Sequence, residues 1–266
     1  MRSTDFFAAH PVFAHAEFVA AHTAGGRSHF TSNNLLARHL SAGRLVRIRR
    51  GLYATVPRGV DASSARVDPY LVATHLTDDA VVAYHAALQF HGRAYSLWRR
   101  FHYLTRKRAK PFSFRDLEFL PVQAPSAVRS LPHLGGGLTE VRHVGGNVRV
   151  TTLERTLVDV LDAPDKAGGW EEIWRSLEMV EFFDLDAVIE YALALRSALT
   201  VARVGFFLEQ HRESLMVEEK HLERLQEHAP AGPRYLDSSR EPGRLDSRWN
   251  LVVPEYVMQR RWDEAA

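Results

Sequence analysis

The sequence predicts an α+β fold in which a small N-terminal unit, residues 1–58, is joined by a linker, residues 59–69, to a larger C-terminal part, residues 70–266. Three observations carry this reading. Three short helix-like segments run directly into the hairpin-like "RLVRIRRGLYATVP", all before residue 58. The middle of the chain holds short apolar segments bounded by glycine and proline, the mark of strands. From "TLERTLVDVLD" onward the apolar spacing is helical, so the second half of the C-terminal part is mostly helix.

The elements follow in order. "STDFFAAH" and, after Pro11, "FAHAEFVAAHTA" read as helices, the second closed by the glycines at 25 and 26. In "SHFTSNNLLARHLSAG", Thr31 or Ser32 caps a helix with Leu35, Leu36 and Leu40 turned inward, and Gly43 ends it. Asn33, Asn34, Arg38 and Ser41 then fall away from that stripe. Val46 and Ile48 alternate with Arg47 and Arg49, the turn falls near Arg50-Gly51, and "LYATV" returns as a second strand. Helix, helix, helix, basic hairpin is the pattern of a winged helix-turn-helix.

"VPRGVDASSARVDP" is small and polar, as linkers are. "DPYLVATHL" and "VVAYHAALQFHG" read as helices, "FHYLTR" and "LEFLPVQ" as strands, and "LTEVRHVGGNVRVTT" as a hairpin around Gly145-Gly146-Asn147. Helices are then expected in "TLERTLVDVLD", "GGWEEIWRSLEMV", "DLDAVIEYALAL", "ALTVARVGFFLEQH" and "VEEKHLERLQEH", with a last strand in "SRWNLVVPEYVM".

The net charge of +2 conceals an asymmetry. Residues 1–58 hold eight arginines against Asp5 and Glu17, residues 93–115 hold eight basic residues and no acid, and the part beyond is acidic. A basic N-terminal part of this kind points to nucleic acid. Asn33, Asn34 and Arg38 suit base edges in a major groove, with Ser32 beside them and Tyr53 on the hairpin as further contacts. Arg44, Arg47, Arg49 and Arg50 suit phosphates or a narrow minor groove. Arg99, Arg100, Arg106, Lys107, Arg108 and Lys110 are interleaved with Trp98, Phe101, Tyr103, Phe112 and Phe114. That mixture fits either an extended nucleic-acid footprint or a strand that is aromatic inside and solvated outside.

Other chemistry is poorly represented. The absence of cysteine excludes disulfides, thiolate catalysis and Cys-based zinc sites, and fits a reducing cytoplasm. No apolar run is long enough for a signal peptide or a membrane span. The 14 histidines include no His-x-x-x-His pair, so no metal is expected. "EEK" at 218–220 matches half of a metal-nuclease motif but reads better as acids at a helix start. In "TTLERTLVDVLD", Thr151 or Thr152 with Glu154 forms a capping box, and Glu154 with Arg155 is a candidate buried ion pair. "GGG" at 135–137 lacks the Lys-Ser/Thr of a phosphate loop, and Ser126 and Ser130 lack the glycines of a nucleophile elbow. The expectation is a protein without enzymatic activity or cofactor.

"GRLVRIRRGLYATVP", "AYHAALQFHG", "VTTLERTLVDVLDAP", "AGGWEEIWRSLE" and "SRWNLV" resemble, in that order, the hallmarks of the AbiEi family of antitoxins. These are the antitoxin halves of bacterial type IV toxin–antitoxin systems, first tied to phage abortive infection. The likeness spans nearly the whole chain. It implies a winged helix with residues 32–41 as recognition helix and residues 45–56 as wing, then a mixed α/β C-terminal antitoxin domain. It also implies repression of the protein's own promoter through inverted repeats, and a cognate nucleotidyltransferase-like toxin countered, in the founding system, without stable binding. Two alternatives stand beside it: a metal-dependent nuclease using Glu218 and Lys220 and targeted by the winged helix, and a module whose acidic C-terminal part sequesters a basic toxin.

Overall fold

The structure is a computed structural model and describes residues 3–24 and 28–262. The chain is mixed α/β with three sheets among the described residues. It divides into two compact units, one of residues up to 82, 99–121 and 140–150, the other of residues 83–98, 122–139 and 151 onward. The glycines read as closing the second helix lie outside the described residues. No described helix is long and apolar enough to cross a membrane.

The first unit opens with α1 (Ser3–Ala9), β1 (Val12–Ala14), α2 (His15–Thr23), α3 (His29–Ser41), β2 (Leu45–Arg49) and β3 (Leu52–Thr55). Strand β1 occupies the start of a stretch whose composition reads as one helix. It pairs antiparallel with β3 to give the sheet order β1-β3-β2, and the Pro11 carbonyl accepts the Thr55 N–H at 2.8 Å. Extending the chain there seats Phe13, fully buried, in a cluster with Phe6, Phe7, Phe18, Leu36, Leu45 and Tyr53. The Phe6 ring meets Phe13 and Phe18 edge-on at 5.1 and 5.3 Å. Each such ring contributes about 1.5–3 kcal/mol by burial, far more than helix propensity over three residues.

After the hairpin, the segment read as a linker is held to the unit. Arg115 donates to the carbonyls of Ala62 and Ala65, and Ala65 is buried. Helix α4 (Pro69–Thr74) is capped by the Asp68 carboxylate, which accepts the Leu71 N–H at 2.9 Å. A six-stranded sheet follows, built from β4 (Val81–Val82), β5 (Arg100–Thr105), β6 (Phe112–Phe114), β7 (Leu117–Gln123), β8 (Leu138–His143) and β9 (Gly146–Thr151), in the order β6-β7-β5-β4-β9-β8. Strand β4 overturns the single helix expected over "VVAYHAALQFHG". Val81 and Val82 pair with Leu104 and Tyr103 of β5, and Val82 also pairs with Val150 of β9. A strand buried on both faces is a short continuous apolar run, and periodicity cannot separate that from buried helix.

The second unit contains α5 (His85–Phe90), α6 (Ser126–Arg129), α7 (Leu153–Asp162), α8 (Trp170–Glu178), α9 (Leu185–Ala194), α10 (Ala198–Gln210), α11 (Glu219–Gln226), β10 (Arg234–Tyr235), β11 (Arg244–Asp246), β12 (Leu251–Val253) and α12 (Glu255–Gln259). The three strands form a small sheet ordered β10-β12-β11. Trp174, Trp249 and Phe207 are fully buried here. Thr152 caps α7, accepting the Arg155 N–H, whereas Glu154 accepts the Asp184 N–H and leaves its own cap alone. Arg155 does not pair with Glu154. It is buried, bonds Asp159 at 3.2 Å and the carbonyls of Leu134 and Gly136 at 2.9 and 2.6 Å, and lies over the Tyr191 ring.

Candidate nucleic-acid interface

Helix α3 begins one turn earlier than its composition indicates. Ser28 is the cap, accepting the Thr31 N–H at 3.2 Å, rather than Thr31 or Ser32. Ser32 is consequently an interior residue of the helix, fully buried, with its hydroxyl donating to the Ser28 carbonyl at 3.0 Å. With Leu36 and His39 it forms the inward stripe, and Leu35 and Leu40 pack half-buried beside it. Burial holds His39 below the usual imidazole range, and the nearby Arg44 and Arg38 charges add to that effect.

The outward face of α3 carries Phe30, Asn33, Asn34, Ala37, Arg38 and Ser41, all exposed and spaced three or four apart. His15, the first residue of α2, donates from Nε2 to Asn33 Oδ1 at 2.8 Å. The chain leaves α3 through Gly43, at φ 65°, and enters β2 at Leu45, so Arg44 stands between helix and hairpin. Only a residue comfortable at positive φ makes so short a turn.

The hairpin does not present its arginines as one strip. A bulge falls between Arg47 and Arg49, which a regular strand would place on one face. Arg47 remains exposed, whereas Arg49 turns in, donating from Nη2 to the Leu76 carbonyl at 2.6 Å with its guanidinium 5.9 Å from the Phe112 ring centroid. Arg50 lies exposed at the tip beside Gly51. The tip is anchored by the His15 N–H, which donates to the Gly51 carbonyl at 2.8 Å. Arg38, Arg44, Arg47 and Arg50 make no side-chain hydrogen bond or ion pair with the described residues. Tyr53 belongs to the core, its ring 5.8 Å from Phe13, and is buried.

Of the nine residues named around α3 and the hairpin, Ser32 and Tyr53 are buried, and Arg49 is half-buried with its guanidinium on the Leu76 carbonyl. Asn33, Asn34, Arg38, Arg44, Arg47 and Arg50 are exposed. Two further residues belong to this region: His15, whose link to Asn33 spans two helices, and Phe30, an exposed apolar residue in a polar run.

The second basic stretch behaves differently. Arg99 pairs with Asp116, Arg100 with Glu118 at 3.2 Å, and Lys107 with Asp78 at 2.7 Å. Phe101 and Tyr103 are buried in β5, and Phe112 stacks on Phe119. Trp98 stacks on His85 at 3.9 Å. Two of the five aromatics are thus core residues, Trp98, Phe112 and Phe114 are half-buried, and acids from outside the stretch answer Arg99, Arg100 and Lys107. Arg106, Arg108 and Lys110 are exposed in the loop after β5.

The remaining motifs build the core of the second unit. His85, fully buried, bonds Glu172 at 3.0 Å, and the same carboxylate accepts from the Ser96 N–H and hydroxyl at 2.9 and 2.7 Å. Burial opposes its ionisation, but these donors outweigh it and bring its pKa to about 2. Trp249 donates from Nε1 to Glu209 at 2.6 Å. Glu218 is the cap residue of α11 and pairs with Lys220 at 3.0 Å, a helix start in geometry. No group of three or more metal-ligating side chains lies together among the described residues.

No protein-family model matches the chain, and no curated protein does. Among solved structures it is similar to the RV2827C protein from Mycobacterium tuberculosis, with a TM-score of 0.61 at 16% identity, over 97% of this chain and 92% of that one. At this identity the likeness concerns the fold alone.

Proposed function

We propose that the chain is a DNA-binding autorepressor of the cytoplasm that doubles as the antitoxin of an AbiEi-type operon. Its N-terminal segment acts as a winged helix: α3 enters the major groove, and the hairpin lies along the backbone. The observation that carries the reading is the arrangement α1-β1-α2-α3-β2-β3 with a β1-β3-β2 sheet, presenting a helix face of Asn33, Asn34 and Arg38 beside Arg44, Arg47 and Arg50, which are unpaired among the described residues. Asparagine and arginine suit adenine and guanine edges, and backbone arginines set register and affinity. The antitoxin half rests on the motif resemblance, and the partner proposed is a nucleotidyltransferase-like toxin encoded beside it.

Fluorescence anisotropy of the full chain with its own upstream DNA and with a scrambled duplex, across a salt series, tests this. Tight, salt-sensitive binding that favours the upstream DNA and falls in Arg38→Ala and Arg50→Ala is expected. Equal weak binding to both duplexes would overturn it. Co-expression with the adjacent gene product tests the antitoxin half, with rescue of growth as the expected result.

A further inference from the structure

Phe30 is 75% exposed, although a phenyl ring is among the groups water rejects most strongly. It is the second residue of α3 and heads the outward face on which Asn33, Asn34, Ala37 and Arg38 follow. The aromatic cluster of Phe6, Phe7, Phe13 and Phe18 packs on the opposite stripe, through Leu36, so the fold offers Phe30 no place in the core. Its exposure is a consequence of helix phase, and only contact from outside removes it from water.

We propose that Phe30 packs against thymine methyl groups in the major groove, making it a specificity-determining residue; the assignment rests on the DNA reading above. The C5-methyl of thymine is the one apolar group on the major-groove floor, and apolar side chains are the groups that read it. Phe30 lies one helical turn before Asn33 and Asn34, a rise of about 4.5–6 Å, or between one and two base steps. An asparagine on an adenine and Phe30 on a neighbouring thymine are therefore satisfied together by consecutive A·T pairs. The position also agrees: recognition helices read bases chiefly through their N-terminal residues. Ala37 and Ser41, small and on the same face, allow the helix axis to approach the groove closely.

The test uses the full chain, the upstream duplex, and a set of duplexes in which each thymine in turn is replaced by deoxyuridine, which deletes only the methyl. The unmodified protein should lose about fourfold in affinity at one or two of these positions, the equivalent of one buried methyl group. Phe30→Ala should bind the thymine duplex about tenfold more weakly than the unmodified protein, with an unchanged melting temperature and salt slope, and should no longer distinguish thymine from deoxyuridine there. If the unmodified protein prefers upstream DNA but Phe30→Ala binds as tightly, or keeps the thymine preference, this assignment fails and the DNA reading stands. If the unmodified protein shows no preference for the upstream duplex, both fail.

Discussion

His15 Nε2 donates to Asn33 Oδ1 across 2.8 Å, tying the first turn of α2 to the exposed face of α3. With its oxygen engaged, the Asn33 amide is oriented and presents its NH2 group as donor, which on a purine edge selects acceptors. Asn33→Ala should cost about 1–3 kcal/mol of specific binding and relax one base position. His15→Ala should cost less, and its effect should vanish in the Asn33→Ala background, because it acts only through that amide. A double-mutant cycle measured by anisotropy checks this; additive losses would show that His15 acts independently.

The bulge divides the hairpin arginines into two kinds. Arg47→Ala and Arg50→Ala should each weaken binding uniformly across sequences and lower the salt slope by about one, with stability unchanged. Arg49→Ala removes the bond to the Leu76 carbonyl, so it should lower unfolding stability by about 1–2 kcal/mol and leave the slope intact. Salt titrations paired with denaturant unfolding of the three variants separate the kinds.

Glu17 and His75 lie 3.6 Å apart within the first unit. Burial pulls the His75 pKa down, but the Glu17 carboxylate and the Leu71 carbonyl outweigh it and the net shift is upward. The same imidazole lowers Glu17. A raised histidine contributes stability that is complete below its unfolded pKa and fades as pH rises through the folded one. The lowered carboxylate contributes above its unfolded pKa and fades as pH falls. The pair should therefore stabilise most between about pH 4.5 and 6.5 and weaken above that range. Glu17→Gln should lessen the fall in melting temperature between about pH 5.5 and about pH 8, read by scanning calorimetry.

In the second unit Asp159 is fully enclosed, bonded by Arg155 at 3.2 Å and by the Tyr191 hydroxyl at 2.8 Å. Burial raises its pKa despite the arginine, so the site is costly to build and costlier to break. Asp159→Ala should lose about 3–5 kcal/mol by leaving Arg155 unanswered, whereas an apolar double replacement of Arg155 and Asp159 should lose much less. Urea unfolding of the single and double variants decides between them.

Gly205 sits inside α10 against the fully buried Trp249 ring, where an added Cβ would overlap the indole. Gly205→Ala, ordinarily a gain in a helix, should here lose about 1–3 kcal/mol, measured by thermal unfolding. The glycine in the helix pattern thereby has a packing reason, and the tryptophan of "SRWNLV" has its place.

Much of this architecture was legible from short-range chemistry. The inward turn of Leu36 on α3, the Arg50-Gly51 turn, a threonine cap at 151 or 152 and strand β7 were readable because caps, turns and alternation involve residues a few positions apart. β1 and β4 were hidden for the opposite reason: three and two residues long, they are strands only because β3, β5 and β9 offer them partners. The basic run at 93–115 read as unanswered charge because Asp78 and Asp116, which meet Lys107 and Arg99, fall outside it.

The sequence by itself determined which residues could speak to a nucleic acid: an excess of arginine near one end, a polar helix stripe and a basic turn. Tertiary structure decided which of them stay on the surface. Arg49 is committed to a carbonyl 27 residues away, Tyr53 and Ser32 to the core, and His15 to an asparagine 18 residues away. Those choices rest on burial and on bonds between distant segments. A polar side chain's role follows from which partner the folded chain brings within 3 Å or so, and local pattern does not contain that information.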